Sequence, residues 1–345
     1  MERNIVVISK EFVLKRVLPV IAGLVFLGIG GVFLLDSIKG GSPGDGSVKY
    51  ELIISAGDSS TKITKDLRSH GMLKSTGYFV YLLKIAGNTN KLKQGVYSID
   101  NGMTARKVME ILVDGKVKMI SFTVPEGYNN RQIGEVLTNK NIAKSKEEFL
   151  TLAASSELLK KYKIPAKTTE GYLFPETYTI PYNYPLDKVV EMMLKRFYLN
   201  LQKIDKAKNI SPEELHQKVI LASIVEREAK KKEERPLMAG VFIKRLKKNI
   251  ALESCATVQY LFDKPKKRLF EKDLLIPSDY NTYLHKGYPP GPISNPGMPA
   301  LLAAFNPEET DNLFFLLKPD GYHYFSKDHR EHAQAKKKYI DVLYE

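Results

Sequence analysis

The stretch Val17 to Leu35, "VLPVIAGLVFLGIGGVFLL", runs nineteen residues without a charge. At about 1.5 Å of rise per residue, a helix of that length nearly crosses a hydrocarbon core of about 30 Å. Arg3, Lys10, Lys15 and Arg16 precede it, and only Lys39 and Lys49 follow closely. That asymmetry keeps residues 1–16 in the cytosol and exports everything after Asp36. A cleaved signal peptide is the alternative. The apolar stretch is long for one, and no A-x-A-like site follows it. The expectation is an uncleaved, single-pass transmembrane helix over 17–35.

Residues 36–48 contain "KGGSPGDGS", a flexible tether. The whole chain has 345 residues, enough for two compact domains, and 43% of them are hydrophobic, enough to bury a core. Its net charge of +14 calls for an anionic partner. Export removes nucleic acid and leaves an anionic membrane surface or an acidic polymer. Cys255 is the single cysteine, so neither an internal disulfide nor a zinc-type cysteine pair can form.

Past the tether a short pattern recurs. "GDSSTKITKDL" begins at Gly57, "GMTARKVMEIL" at Gly102 and "GYNNRQIGEVL" at Gly127. Each places Ile63, Val108 or Ile133 six residues after the glycine and a leucine four further on, a pair on one helix face. Ser59, Thr104 and Asn129 stand two residues past the glycines, where an N-cap belongs. "YELIIS" and "KMISFTV" precede the first and third units, so a unit reads strand, glycine turn, capped short helix. Chance recurrence of common turns is the alternative to related modules. The pattern resembles LysM domains, which bind N-acetylglucosamine-containing glycans, most closely over residues 49–120. A small α+β spacer without a ligand is the other reading of that segment.

From 121 to 345 helical and irregular segments alternate. Ser211, Pro212 and Glu214 mark a helix start, and the helix is expected to run to about Arg235, with Pro236 opening the next. Within it, Val219, Ala222, Glu226 and Ala229 share one face, flanked by Leu221 and Val225. A carboxyl desolvated by such a stripe is pushed toward its neutral form, which suits a general acid. Equally, Glu226 and Lys230 form an ordinary i, i+4 surface pair. Periodicity alone leaves both open. Glu228 faces elsewhere and reads as surface.

Three further segments carry binding chemistry. "TTEGYLFPETYTIP" holds Glu170 and Glu176 among Tyr172, Phe174, Tyr178 and the following Tyr182; aromatic faces stack on sugar rings, although Phe174 is expected in the core. "LESCATVQY" holds Thr257 and Gln259. "YNTYLHKGYPPGPISNPG" holds Tyr280, Asn281 and Asn295, and its prolines force a rigid irregular loop. His323, His329, Glu331 and His332 match no common metal spacing, so neither metal nor cofactor is expected.

The strings "EGYLFPETY", "LASIVERE", "TVQY", "YNTY", "GYPPGPISNPG" and "HYFS" with "HREH" occur here in an order that resembles the YceG-like family of endolytic murein transglycosylases. The resemblance implies an α+β protein with an N-terminal transmembrane helix, a LysM-like module at 49–120 and a larger mixed catalytic domain at 121–345. It implies cleavage within peptidoglycan glycan strands at the inner membrane, on the periplasmic side, with peptidoglycan synthases as candidate partners. The catalytic acid of the family maps onto Glu226, and Glu170, Tyr172, Glu176, Thr257, Gln259, Tyr280, Asn281 and Asn295 onto a sugar cleft. Ser254 and Cys255 depart from the family pattern, where an acidic or polar residue is commoner, so no assisting carboxylate is implied there. A hydrolytic muramidase pairing Glu226 with Glu170 or Glu176, and a non-catalytic anchored glycan-binding scaffold, are the competing readings.

Overall fold

The computed structural model describes residues 18–24, 31 and 38–340. The expected span 17–35 therefore lies largely outside the described residues, and among those described no helix is long and apolar enough to cross a membrane. Helix and strand are mixed, as in an α+β protein. The chain divides into two compact units, Met1–Ile120 with Pro181–Asn183, and Ser121–Ile180 with Tyr184–Glu345.

In the first unit β1 (Lys49–Ile54) pairs antiparallel with β2 (Gly95–Asp100), in a register that sets Leu52 opposite Tyr97. Between and after them come α1 (Ser60–Ser69), α2 (Thr76–Ile85) and α3 (Ala105–Asp114). Alternation in β1 turns Leu52 and Ile54 inward. They meet Ile63 and Leu67 of α1, Phe79 and Leu83 of α2, and Val108 and Leu112 of α3 in one apolar core. The recurring caps form: Ser59 Oγ accepts the Lys62 N–H at 3.2 Å and Thr104 Oγ1 the Lys107 N–H at 3.2 Å. Gly57 turns the chain at φ +86°, a conformation that costs a side-chain-bearing residue. α2 falls outside the recurring pattern; Ser75 caps it.

The second unit begins with the third recurrence. β3 (Met119–Thr123) pairs with β4 (Thr177–Pro181), with hydroxyl pairs Ser121–Thr179 and Thr123–Thr177 across the ribbon. Gly127 turns at φ +78°, and Asn129 and Gln132 close a reciprocal capping box onto α4 (Asn130–Asn139). α5 (Lys146–Ala153), α6 (Ser156–Lys161) and α7 (Leu186–Leu201) follow. Phe174, expected in the core, is half-buried; the neighbouring Leu173 is fully buried instead.

At the centre stands α8 (Pro212–Glu228), with α9 (Arg235–Lys247), the short α10 (Cys255–Gln259) and α11 (Met298–Phe305) packed on it. Every residue from Val219 to Val225 is buried. The apolar stripe is thus part of a helical segment, Val219 to Val225, enclosed all round. α8 ends at Glu228, seven residues before the expected Arg235. Beyond Ala229 the sequence from Lys230 to Arg235 is all charged and offers no apolar stripe to continue the helix against the core. Ala229 leaves the helix in extended conformation, and a 3-10 turn over Lys232–Glu234 delivers Arg235 to the start of α9. A final hairpin, β5 (Phe314–Leu317) with β6 (His323–Ser326), packs against α12 (His329–Tyr339).

Candidate active site

The Glu226 side chain is only 5% exposed, although it ends one turn from a charged run. Its face neighbours Val219, Ala222 and Ala229 are buried. Two donors hold the carboxylate. Arg235 Nη2 donates to Oε1 at 2.6 Å, and the Gly297 N–H donates to Oε2 at 3.0 Å. Lys230 is exposed, so Arg235, nine residues on, replaces the i, i+4 partner allowed by periodicity. The early end of α8 makes this possible, because the turn folds Arg235 back alongside the helix.

Burial raises the Glu226 pKa above the ordinary carboxylate range; Arg235 and the Gly297 N–H act against that shift, and the nearby negative charge of Glu126 adds to it. Glu126 lies on the same guanidinium, with its Oε2 3.9 Å from Arg235 Nη1. Gly297 is packed between the acids: a Cβ there would sit 1.9 Å from Glu126 Oε1. Arg235 is itself braced through its neighbour, since Glu234 accepts from the His323 N–H at 2.7 Å and contacts His323 Nδ1 at 2.8 Å. Glu126 and Arg235 were invisible to pattern reading. Glu126 precedes the recurring glycine without periodicity of its own, and Arg235 read only as the expected end of the helix.

A second buried acid adjoins this group. Glu170 accepts the Asn130 N–H at 3.0 and 3.1 Å, Asn295 Nδ2 at 3.1 Å and the Tyr260 hydroxyl at 3.2 Å. Burial pushes its pKa up to about 7, against those hydrogen bonds. Asn295 also accepts the Leu173 N–H at 2.8 Å. The irregular loop thus braces Glu170 through Asn295 and Glu226 through Gly297, two residues apart. It is laced to the middle of α8, where Ser223 Oγ accepts the Ile293 N–H at 3.0 Å and the Ser223 carbonyl accepts from Ser294 Oγ at 3.1 Å.

The other singled-out residues are placed as follows. The Tyr172 hydroxyl, buried, is 2.9 Å from His216 Nδ1. The Tyr280 ring lies 5.1 Å from that of Tyr260, beside Glu170. The Thr257 hydroxyl donates to the Ser254 carbonyl at 2.7 Å and meets Thr282 Oγ1 at 2.9 Å. Gln259 pairs with both backbone groups of Lys266, at 2.8 and 2.9 Å. Asn281 donates to the carbonyls of Leu274 and Ile276, each at 2.9 Å. Glu176 forms a two-pronged pair with Arg196 and is not among the groups that hold Glu226. Glu228, read as surface, is half-buried and accepts the Ala256 N–H at 3.0 Å and the Ser254 hydroxyl, capping α10. His323 serves Glu234, and among the described residues no group of three or more His, Cys, Asp or Glu could hold a metal ion.

A narrow crevice with about 10 Å³ of room for water lies beside this cluster. Gly127 and Arg227, both against Glu226, line it together with Gln259, Tyr260 and Ile293. A larger surface hollow bordered by Lys244, Glu308 and Asp311 contains none of these residues.

Comparison with known proteins places this arrangement in context. The profile of the YceG-like family matches residues 52–338. The endolytic murein transglycosylase of Bacillus subtilis (strain 168) is 34% identical over 335 residues, covering 90% of this chain and 91% of that protein. The endolytic murein transglycosylase of Streptococcus pneumoniae serotype 2 (strain D39 / NCTC 7466) is 30% identical over 91% of this chain, which spans 63% of that longer relative. A crystal structure of a yceG-like protein from Listeria monocytogenes superposes with a TM-score of 0.58 at 30% identity, covering 84% of this chain and 99% of that one.

Proposed function

The chain belongs to the YceG-like family, and from that premise we propose that it is an endolytic murein transglycosylase, cutting the MurNAc–GlcNAc bond within peptidoglycan strands and leaving 1,6-anhydroMurNAc ends. The observation that carries the reading is the Glu226 carboxyl, buried in an apolar wall and held by Arg235 and the Gly297 N–H. A carboxyl in that setting holds a proton at higher pH than one in water, as a general acid requires.

The reaction needs one such acid. Glu226 gives its proton to the glycosidic oxygen, and the bond from that oxygen to C1 of the muramic ring breaks. The C6 hydroxyl oxygen of the same ring bonds to C1, and its proton passes to the Glu226 carboxylate. The acid is restored and no water is consumed. The nucleophile belongs to the substrate, so its effective concentration is that of an intramolecular group. The Gly297 N–H and Arg235 steady the carboxylate in the half of the cycle when it is charged.

The remaining parts fit this role. Residues 17–35 anchor the chain in the cell membrane with its bulk outside the cytosol. Residues 49–120 form a LysM-like module that holds the glycan strand. The +14 charge suits the carboxylate-bearing stems of peptidoglycan and the anionic membrane surface. Cutting strands as they emerge would end their elongation, which makes peptidoglycan synthases the natural partners. Among the family-implied cleft residues, Gln259 lines the crevice beside Glu226.

Digestion of intact sacculi in ¹⁸O-labelled water tests the reading. The expected ends are unlabelled and lighter by one water; ¹⁸O at C1 of the new ends would make the enzyme a hydrolase.

A further inference from the structure

Arg235 is under-used for a buried cation. Its side chain is 6% exposed, yet Nε and Nη1 have no hydrogen-bond partner; only Nη2 is engaged, by Glu226. Buried donors without partners are costly, and a catalytic role is one reason for a structure to keep them. The acceptor nearest to Nη1 is the Glu126 carboxylate, 3.9 Å away and 38% exposed, free enough to move. Glu126 rests on Gly297, whose N–H holds the other oxygen of Glu226. One guanidinium therefore stands between two carboxylates, within a short side-chain shift of either.

We propose that Glu126 is a positioning residue for the reaction: it takes Arg235 from Glu226 when Glu226 gains its proton and returns it when Glu226 becomes charged. The inference rests on the reading of Glu226 as the general acid. In the free enzyme Arg235 pairs with a charged Glu226. When Glu226 takes a proton from solvent, its attraction for the guanidinium collapses, and Nη1 closes on Glu126. Glu226 then faces the substrate as a neutral acid. After it protonates the leaving oxygen, Arg235 swings back to the new carboxylate until the C6 hydroxyl proton arrives.

The charged groups facing Glu226 are Arg235 from α9, Glu126 from the segment before α4 and Lys232 from the connecting turn. Arg227 lies beside it on α8, with Nη1 3.3 Å from the Gly127 carbonyl. Removing the Glu126 charge leaves Arg235 on Glu226 throughout, so Glu226 should lose its proton at lower pH.

The test compares full-length wild type, Glu126→Gln and Glu126→Asp by two readouts. One is the titration of the Glu226 carboxyl by ¹³C NMR, assigned by its loss in Glu226→Gln. The other is the pH profile of kcat/KM on sacculi. In Glu126→Gln the NMR midpoint and the alkaline limb should both move down by about one pH unit, and Glu126→Asp should return both toward wild type. Unmoved midpoints overturn the proposal. So does a loss of rate that is equal at every pH, which would put Glu126 on the substrate instead. If the NMR midpoint moves as expected but wild type releases no cut ends, the exchange stands and the enzymatic reading fails.

Discussion

Arg235 and Glu226 form an ion pair at 2.6 Å with about one-twentieth of each side chain exposed. Pairs this dry owe little net stability to their mutual attraction, but removing one partner strands the other. Glu226 has an escape, because it can take up a proton. Arg235→Met should therefore be tolerated at low pH, where Glu226 is neutral in both folded and unfolded chains. Above the ordinary glutamate pKa the unfolded chain ionises while folded Glu226 resists, so the deficit grows with pH. Urea unfolding should give a loss of about 2–4 kcal/mol at pH 8 and a clearly smaller one at pH 5. Equal losses at the two pH values would mean that Glu226 does not feel Arg235.

Glu226→Gln should keep the fold and lose cutting. A glutamine oxygen can accept from Arg235 or Gly297 but not ideally from both, so unfolding should show a cost of about 1 kcal/mol. Release of muropeptides from sacculi should fall by about a hundredfold or more, since a neutral amide donates no proton to the leaving oxygen. A variant within tenfold of wild type would remove Glu226 from the reaction.

Glu170 should make the fold weaken as pH rises. Its folded pKa of about 7 lies above the ordinary 4.5. A raised folded value means that the contribution is fully present below pH 4.5 and is lost as pH climbs through 7. The full span is worth about 3 kcal/mol. Stability measured by chemical denaturation should fall across that window. Glu170→Gln should flatten the fall, at the cost of a poorer match to the Asn130 N–H. An identical slope in the variant would assign the pH dependence elsewhere.

The fold and the site were legible to different degrees, for physical reasons. Ser59, Thr104 and Asn129 announced their helices because capping is local: the side chain bonds an amide three residues away. The stripe around Glu226 was legible as periodicity, which allowed either a dry acid or a surface pair. The choice depended on Arg235, and that contact exists only because α8 stops at Glu228. Glu126 and Gly297 reach Glu226 from 100 and 71 positions away along the chain, a distance no local pattern reports. Ser223 shows the same limit. Nothing in its local sequence marks it, yet its hydroxyl and carbonyl hold the Ile293 N–H and the Ser294 hydroxyl of the loop that carries Asn295 and Gly297 to the acids.

Deleting residues 49–120 should weaken adhesion to glycan more than chemistry. β1, β2 and their helices enclose a core of their own, and the Glu226 cluster is built wholly from residues of the other unit. Co-sedimentation with sacculi should show weaker binding, with residual anhydro ends still formed. Unchanged sedimentation would reduce this module to a spacer.

Gly297→Ala separates geometry from charge at the two acids. The backbone there has φ −78°, which alanine adopts freely, so the substitution adds a methyl group without backbone strain. That methyl would lie 1.9 Å from Glu126 Oε1 and 2.3 Å from its Cδ. The obstacle is the end of a flexible, partly exposed side chain, so Glu126 should swing toward solvent at a cost of about 1 kcal/mol. The Gly297 N–H can still hold Glu226, and no charge is added or removed. Moving the Glu126 carboxylate away should nonetheless reproduce much of Glu126→Gln: Glu226 loses its proton at lower pH, and the alkaline limb of kcat/KM shifts down. Thermal unfolding should remain cooperative, with a midpoint within several degrees of wild type. A pH profile superimposable on wild type, in a variant shown by NMR to have displaced Glu126, would mean that the second carboxylate has no hold on the first.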